Sequence, residues 1–360
     1  MGRNGGSGAG TIRNCSGEIS VNHPEYLSCK GDKKMDLPLL SVQSITKYYS
    51  MKEEFHQKRK RIGQGNVLAV DHVSFELRTG ETLSIIGESG CGKTTLGKLI
   101  VRLLEPQEGK IIFKGTDILG LNNRGMRKIR RDIQMIFQDP YASLNPRLTV
   151  GEIIGEGLEI NKIHNRAQKN ALIKLILKEV GMSPGDSEKY PREFSGGQRQ
   201  RINIARALVL RPSLIIADEP VSALDLSIKS QIMNLLMESQ QKYNFSYLLI
   251  SHDLNLVKHF SSRTAIMYLG RIVEMADTQK LFKEPLHIYT RALISSAPRP
   301  YPLSRGEKFI LTGEVPSPSD PPSGCHFHPR CPQAKNICRK ERPVLKRVSQ
   351  NHFLACHLSK

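Results

Sequence analysis

The chain has 360 residues, 39% hydrophobic and 24% charged, which is an ordinary composition for one large globular domain or two to three smaller ones. No apolar run is long enough for a membrane-spanning helix and the first residues lack the apolar segment of a secretory signal, so we expect neither. The formal net charge of +19 favours an anionic partner, and charge alone does not choose among nucleic acid, a membrane surface and an acidic protein.

The chain begins with residues 1–36, which are rich in Gly, Asn and Ser and show no apolar periodicity, so they predict a flexible extension. A first strand is predicted over residues 37–49. Apolar and polar residues alternate over 73–77, which indicates a half-buried strand. The basic run at 58–61 lies in a polar stretch and is typical of a solvated loop.

A glycine-rich turn follows the next strand and leads into a helix. Gly87, Gly92, Lys93 and Thr94 fit the phosphate-binding loop of a glycine, four residues, then Gly-Lys-Ser/Thr. Glycines let backbone N–H groups surround an oxyanion, and the helix N-terminus adds positive charge. Lys93 can reach the β- and γ-phosphates, and the Thr94 hydroxyl can ligate Mg²⁺. A plain glycine-rich turn is the alternative, but both flanks match the required context, so the chain is predicted to bind a nucleoside triphosphate.

Strands and helices alternate through the middle of the chain. Strands are predicted at 82–86, 110–113, 133–137, 214–217 and 247–250, a hairpin at 265–275, a helix at 94–104 and a helical region at about 141–193 with Asn165 as an N-cap. This alternation implies an α/β fold with a largely parallel sheet, in which ligands bind at the carboxyl ends of the strands. Gly87, Gln138, Asp218 and His252 each directly follow a predicted strand, so we expect them at one edge of the sheet.

A second glycine motif, Ser195-Gly196-Gly197-Gln198, stands just before a predicted helix. Its N–H groups would form a second anion cradle at a helix N-terminus. An ordinary capped helix would use the same residues, but the phosphate loop and the carboxylates Asp218 and Glu219 accompany it. Because an apolar strand delivers these carboxylates, they indicate a Mg²⁺ ligand and a general base rather than a solvated acidic turn.

Together these motifs resemble the ATP-binding-cassette (ABC) ATPases over residues 39–275. Residues 195–198 resemble the signature loop of the family, with Phe194 in place of the commoner Leu. Asp218-Glu219-Pro220 resembles the end of the Walker B strand, and Ser222-Ala223-Leu224-Asp225 resembles the D-loop. Gln138 matches the Q-loop, His252 matches the switch histidine, and Tyr49 matches the aromatic residue that stacks on adenine. The resemblance implies a P-loop NTPase fold with a parallel-sheet core, an antiparallel β subdomain and a helical subdomain.

The resemblance also implies residue roles. Glu219 would act as the general base, His252 would hydrogen-bond the γ-phosphate, and Gln138 would ligate Mg²⁺ and orient the water. The Mg²⁺ ligands would be Thr94, Gln138 and Asp218. The nucleotide-binding set is Tyr49, Gly87, Ser89, Gly90, Cys91, Gly92, Lys93, Thr94, Thr95, Gln138, Ser195, Gly196, Gly197, Gln198, Asp218 and Asp225. Tyr48 is a rival to Tyr49. In this family two cassettes bind ATP head to tail between one phosphate loop and the partner's signature loop.

Four cysteines, Cys325, Cys331, Cys338 and Cys356, crowd into the last 36 residues, after a proline-rich stretch. Such crowding indicates a local metal-ligand set rather than a disulfide framework. The segments 139–147, 313–318 and 324–332 resemble the dipeptide/oligopeptide importer ATPases, whose C-terminal extension carries an iron–sulfur cluster at such cysteines. A 4Fe–4S cluster is therefore expected, with Zn²⁺ as the alternative and reduced cysteines without metal still open. A mixed zinc site would draw on His326, His328, His352 and His357.

The resemblance thus implies the ATPase subunit of a peptide importer at the cytoplasmic face of the membrane. Its predicted partners are a second, paralogous ABC ATPase subunit, two permease subunits docked near the helical region and, indirectly, a solute-binding protein, with no direct nucleic-acid contact. The predicted parts are an N-terminal extension (1–36), the cassette (37–296), a proline-rich linker (297–323) and a small C-terminal metal-binding extension (324–360). Alternatives are oligosaccharide or nickel cargo, a homodimer, and a nucleic-acid-acting ABC ATPase.

Overall fold

The computed structural model describes residues 37–50, 66–162, 165–222, 224–296, 311 and 313–358. The predicted N-terminal extension, the basic run at 58–61, Ala223 of the D-loop and residues 297–310 of the predicted linker lie outside the described residues.

Strands and helices alternate along this part of the chain. The strands are β1 (Leu40–Ser50), β2 (Asn66–Leu77), β3 (Thr82–Ile86), β4 (Glu108–Phe113), β5 (Thr116–Asp117), β6 (Ile133–Ile136), β7 (Leu214–Asp218), β8 (Ser246–Ser251), β9 (Arg263–Tyr268), β10 (Arg271–Asp277), β11 (Lys346–Ser349) and β12 (His352–Leu354). The helices are α1 (Lys93–Ile100), α2 (Asn123–Asp132), α3 (Pro140–Ser143), α4 (Val150–Ile160), α5 (Arg166–Glu179), α6 (Gly196–Leu208), α7 (Leu226–Tyr243), α8 (Leu254–Phe260), α9 (Thr278–Lys283), α10 (Ile288–Ser296) and α11 (Asn336–Lys340).

An eight-stranded sheet forms the centre of the fold, in the order β11-β12-β10-β9-β3-β8-β7-β6. The strands from β9 to β6 pair in parallel, and β10, β12 and β11 continue the sheet antiparallel. Every residue of β3, β7 and β8 is buried, as expected for strands covered on both faces. The predicted α/β core with a largely parallel sheet is confirmed.

A second sheet has four antiparallel strands in the order β2-β1-β4-β5. Buried and exposed side chains alternate along β2 from Asp71 to Leu77, so one face of that strand packs on the core while the other meets solvent. In β1 the buried residues come in short groups, Leu40–Val42 and Ile45–Thr46. This sheet is the antiparallel β subdomain that the family resemblance implies.

The predicted helical region is broken into shorter elements than its periodicity suggested. Helices α3, α4 and α5 are followed by two 3-10 turns, each of which starts at a proline, Pro184 and Pro191. Asn165 caps α5 as predicted, since its side chain accepts a hydrogen bond from the Gln168 amide at 2.9 Å. Helix α1 ends at Ile100 rather than residue 104, because Arg102 adopts a left-handed conformation with φ 54°.

The C-terminal module, residues 313–358, is attached to the central sheet. Strand β12 pairs with β10 and carries β11 beyond it. Phe327 is buried, with its ring 5.3 Å from that of Tyr268 and 5.5 Å from that of Tyr289. These contacts make the module part of the same hydrophobic core.

None of the helices in the described residues is long and apolar enough to cross a membrane.

Asp71 connects the β subdomain to the rest of the fold. Its fully buried carboxylate accepts from Arg271 Nε at 2.6 Å and lies 2.6 Å from His72 Nδ1 and 3.5 Å from Arg342 Nη1. Burial alone would raise the pKa of Asp71, but the hydrogen bonds from Arg271 and His72 and the nearby guanidinium charges outweigh it and lower the pKa to about 2. Three segments that are distant in sequence therefore depend on one ionised side chain.

Replacing Asp71 with Asn should remove a pH-dependent contribution to the free energy of unfolding. Because the folded-state pKa lies below the ordinary value of 3.8, this contribution is fully present above about pH 4 and is lost as the pH falls through about 2. Denaturant titrations should give a wild-type advantage of about 2 kcal/mol in the free energy of unfolding at pH 7, shrinking towards pH 2. The exposed Asp320→Asn is the control. A difference that is the same at every pH would contradict this role of Asp71.

Candidate functional site

The phosphate loop, residues 87–92, lies between β3 and α1 and is wedged against backbone on both sides. A Cβ at Gly87 would meet the Met267 carbonyl oxygen at 2.2 Å, and one at Gly92 would meet the Ala69 carbonyl oxygen at 1.9 Å. Gly92 also has a φ of 104°, a left-handed conformation that favours glycine. The loop therefore requires glycine at both ends of the motif.

Lys93 places its ammonium group inside this loop. Its side chain is buried, and Nζ donates to the carbonyl oxygens of Gly87 at 2.8 Å and Glu88 at 2.9 Å. A phosphate oxygen can replace either acceptor, so the ammonium lies where the triphosphate would bind. Ser89 and Gly90 are exposed in the loop, Cys91 is buried, and Thr95 is half-buried in the first turn of α1.

Thr94 and Asp218 meet across the end of the central sheet. Thr94 Oγ1 donates to Asp218 Oδ1 at 3.1 Å. Burial raises the pKa of Asp218 and the neighbouring Glu219 charge adds to this, while the Thr94 hydrogen bond opposes it. A hydroxyl and a carboxylate at hydrogen-bond distance offer two of the oxygen ligands that Mg²⁺ prefers.

Glu219 stands between Gln138 and His252, the two residues that follow β6 and β8. Gln138 Nε2 donates to Glu219 Oε2 at 2.9 Å, and His252 Nδ1 lies 3.0 Å from Oε1. Glu219 has a φ of 45°, which is uncommon outside glycine, and its amide donates to the Ile250 carbonyl oxygen at 2.9 Å. Such strain held at a polar cluster is typical of functional sites. The structure thus brings together Glu219, Gln138 and His252, the three residues for which the family resemblance implies catalytic roles.

The signature segment, residues 195–198, caps helix α6. Ser195 Oγ accepts from the Gln198 amide at 3.4 Å, and Gln198 Oε1 accepts from the Ser195 amide at 2.9 Å, which together form a capping box. Ser195 is exposed, and Gly197 packs so closely on α7 that a Cβ would lie 2.7 Å from Ile228 Cγ2. In the described part of the chain no hydrogen bond joins this segment to the phosphate loop.

The remaining predicted nucleotide contacts lie on exposed surfaces. Tyr49 is 40% exposed on β1, with Lys47 Nζ 5.6 Å from its ring centroid. Asp225 is exposed at the N-terminus of α7, and Ser222 Oγ donates to the Glu219 carbonyl oxygen at 3.2 Å. The D-loop is therefore attached directly to the proposed base.

Cys325, Cys331, Cys338 and Cys356 all line one cavity of about 20 Å³ in the C-terminal module. Burial raises the pKa of Cys325 to about 11, and the three other thiols add to the shift. Thiolates in such a setting would need a bound cation, so the donor set fits a metal. Even so, the described residues hold no group of three or more His, Cys, Asp or Glu arranged to bind an ion, so the predicted metal-binding role is not established.

The four candidate histidines separate into two pairs. His328 and His357 line the cysteine cavity. His326 instead lies 3.2 Å from the Leu269 carbonyl oxygen, and His352 lies 2.8 Å from Glu274 Oε1. A mixed Cys/His site would therefore involve His328 or His357.

One contact of the phosphate loop was missed by the sequence reasoning. Arg330 Nη1 lies 3.0 Å from Glu88 Oε2, and the Glu88 amide donates to the Tyr289 hydroxyl at 3.0 Å. The position of Arg330 between Cys325 and Cys331 was the available signal, but nothing in it points to residue 88.

Two family patterns match the chain. The pattern described as ABC transporter covers residues 70–222, and that described as oligopeptide/dipeptide transporter, C-terminal region, covers 273–338. The second includes Cys325, Cys331 and Cys338 but stops before Cys356.

Two curated relatives match most of the chain. It is 49% identical over 323 residues to the oligopeptide transport ATP-binding protein AppF of Bacillus subtilis, covering 89% of this chain and 97% of that protein. It is 51% identical over 320 residues to the probable peptide ABC transporter ATP-binding protein y4tS of Sinorhizobium fredii, covering 89% of this chain and 90% of that protein. Among solved structures, the dimeric ATP-binding cassette MJ0796 bound to ADP and Pi aligns with a TM-score of 0.59 and 29% identity, covering 66% of this chain and 98% of that one.

Replacing Gly92 with Ala should displace the phosphate loop, because the added Cβ would overlap the Ala69 carbonyl oxygen. Equilibrium binding should show ATP affinity lowered at least about tenfold, the loss that about 1.4 kcal/mol produces. Gly115→Ala is the matched control, since Gly115 has a comparable φ of 79° but open space around its Cβ position. The control should cost about 1 kcal/mol of stability and leave ATP affinity unchanged. Equal losses of affinity in both variants would contradict the steric argument.

Proposed function

This chain belongs to the family of ATP-binding proteins of oligopeptide and dipeptide ABC transporters, and from that membership we propose how its residues use ATP to power peptide import. It is an ATPase subunit that works with membrane permease subunits. The observation that carries the proposed mechanism is the convergence of Glu219, Gln138 and His252 beside the Thr94–Asp218 pair.

ATP binds first through the phosphate loop. Backbone amides of residues 87–92 surround the β-phosphate, and Lys93 moves from its carbonyl acceptors to the β- and γ-phosphate oxygens. Thr94, Asp218 and Gln138 would hold Mg²⁺, which neutralises charge on the phosphates when bound. Tyr49 stacks on the adenine ring.

Glu219 then removes a proton from the attacking water. Each oxygen of the Glu219 carboxylate has one partner, Gln138 or His252, and these contacts keep the carboxylate beside the two side chains that act with it. Gln138 orients the water, and His252 donates a hydrogen bond to the γ-phosphate. These roles require both side chains to exchange their contact with Glu219 for one with the substrate.

A second cassette completes the site. Each chain has one phosphate loop and one signature segment, so two ATP molecules are bound between two chains arranged head to tail, and Ser195, Gly196, Gly197, Gln198 and Asp225 contact the partner's nucleotide. The dimeric state of the related cassette MJ0796 supports this arrangement. ATP binds only the closed dimer and so stabilises it, and ATP hydrolysis lets the two chains separate. We propose that the second cassette is a paralogue and the dimer a heterodimer.

The complete assembly contains two permease subunits and receives peptide from a solute-binding protein that does not touch this chain. We place the chain at the cytoplasmic face of the membrane, with the helices between Gln138 and the signature segment as the permease docking region. Both curated relatives are named for peptides, which supports peptide cargo over oligosaccharide or nickel. No direct nucleic-acid contact is part of this proposal.

The four cysteines are proposed to hold a 4Fe–4S cluster, with Zn²⁺ as the alternative. The cavity that the four cysteines line together with His328 and His357 supports either, and its volume of about 20 Å³, close to that of one water-sized sphere, suits a single ion better. The metal would supply cohesion to a small module, because its four ligands come from separate positions of that module.

Replacing Glu219 with Gln should lower ATP hydrolysis by about 10²–10⁴-fold while ATP binding persists, because the amide cannot accept the proton. Phosphate release by the assembled transporter and equilibrium ATP binding by the purified chain measure the two effects. Glu284→Gln, a change at an exposed carboxylate on the same chain, is the control and should hydrolyse at the wild-type rate. Full hydrolysis by the Glu219 variant would exclude it as the base.

Removing one cysteine should empty the metal site. Chain purified without oxygen should contain iron and acid-labile sulfide in equal amounts, and Cys338→Ser should contain neither and unfold at a lower temperature. Cys91→Ser, which changes a cysteine outside the module, should keep the metal. Zinc without sulfide would support the alternative ion, and a metal-free wild-type chain would refute the metal proposal.

A further inference from the structure

An ion pair between Arg330 and Glu88 joins the C-terminal module, which contains the four cysteines and is called the cysteine module below, to the phosphate loop. Arg330 lies in the 3-10 turn His328–Arg330, and its Nη1 is 3.0 Å and 3.2 Å from the two carboxylate oxygens of Glu88. The Arg330 side chain is 8% exposed and that of Glu88 27%, so solvent screens this pair only partly.

Glu88 also contacts Lys93, the residue proposed to bind the phosphates. Its amide donates to the Tyr289 hydroxyl, and its carbonyl oxygen accepts from Lys93 Nζ at 2.9 Å. Any change in the position or charge of Glu88 therefore acts directly on Lys93 and on the loop amides.

The cysteine turn holds the guanidinium in place. The His328 amide donates to the Cys325 carbonyl oxygen at 2.9 Å, that of Arg330 to Phe327 at 3.1 Å, and that of Cys331 to His328 at 3.3 Å. These successive bonds span the interval between two of the four cysteines, so the positions of Cys325 and Cys331 determine where Arg330 lies.

We propose that Arg330 is a positioning residue for nucleotide binding, which neutralises Glu88 and makes the cysteine module a determinant of ATP affinity. An unpaired carboxylate in the phosphate loop would repel the triphosphate, and the guanidinium removes that repulsion. The inference rests on the proposed binding of ATP at this loop. It adds that a residue of the C-terminal module affects the affinity of the loop for ATP.

The test measures equilibrium affinity of the full-length chain for a fluorescent ATP analogue with Mg²⁺. Arg330→Met should weaken binding by about five- to tenfold, which corresponds to about 1–1.4 kcal/mol. Glu88→Gln should bind at least as tightly as wild type, and the double variant should return to within about twofold of it. Arg339→Met, at an exposed arginine of the same module, should not change affinity.

A merely structural role gives the opposite pattern, since Glu88→Gln would then weaken binding and would not rescue Arg330→Met. The Glu88 variant tests the charge argument even if Arg330→Met does not fold. Cys331→Ala should weaken binding in the wild-type background and leave the double variant unchanged; an equal loss in both would overturn the route through Arg330. Wild-type affinity in Arg330→Met would overturn the proposal, and a wild-type chain that binds no ATP would overturn the nucleotide site as well.

Discussion

The geometry of the site depends on the register of four parallel strands. Strands β3, β8, β7 and β6 are neighbours, and each ends within one residue of the end of the next: Ile86 pairs with Ser251, Asp218 with Ile250 and Ile136 with Ala217. The residues that follow these strands therefore emerge at one edge, although they are far apart in sequence. A slip of one residue in any strand would turn its alternate side chains to the other face and break the cluster.

This arrangement concentrates charge before any ligand is bound. Asp218 and Glu219 are adjacent carboxylates, and Glu219 additionally has a strained backbone. Thr94 donates to Asp218, and each oxygen of the Glu219 carboxylate has one partner, Gln138 or His252. In the proposed mechanism Mg²⁺ and ATP would replace these contacts between groups that the protein itself orients. The same reasoning applies to Lys93, whose acceptors are carbonyl oxygens of its own loop.

Local patterns were sufficient to predict the core but not its edges. The buried strands β3, β7 and β8 were recognisable because they are short, mainly apolar runs between turn residues, and their common edge followed from the α/β alternation. Strand β11 was missed because it is exposed throughout and begins Lys346-Arg347, so it has no apolar period. The single helical stretch predicted after Tyr141 was too long, since Pro184 and Pro191 start separate turns.

The contact between Arg330 and Glu88 could not be predicted, because it joins residues 242 positions apart that share no motif. This contact lies within one chain, whereas the proposed contacts of the signature segment with ATP lie between two chains. Ser195 caps its own helix α6, and in the proposed dimer it acts on the partner's nucleotide. Arg330, in contrast, contacts the loop of its own chain. Each ATP would therefore be bound by a loop whose charge is set by the C-terminal module of the same chain, and closed by a signature segment of the other. In a heterodimer the two sites would then differ for two independent reasons, since neither the module nor the signature segment need be the same in the two chains.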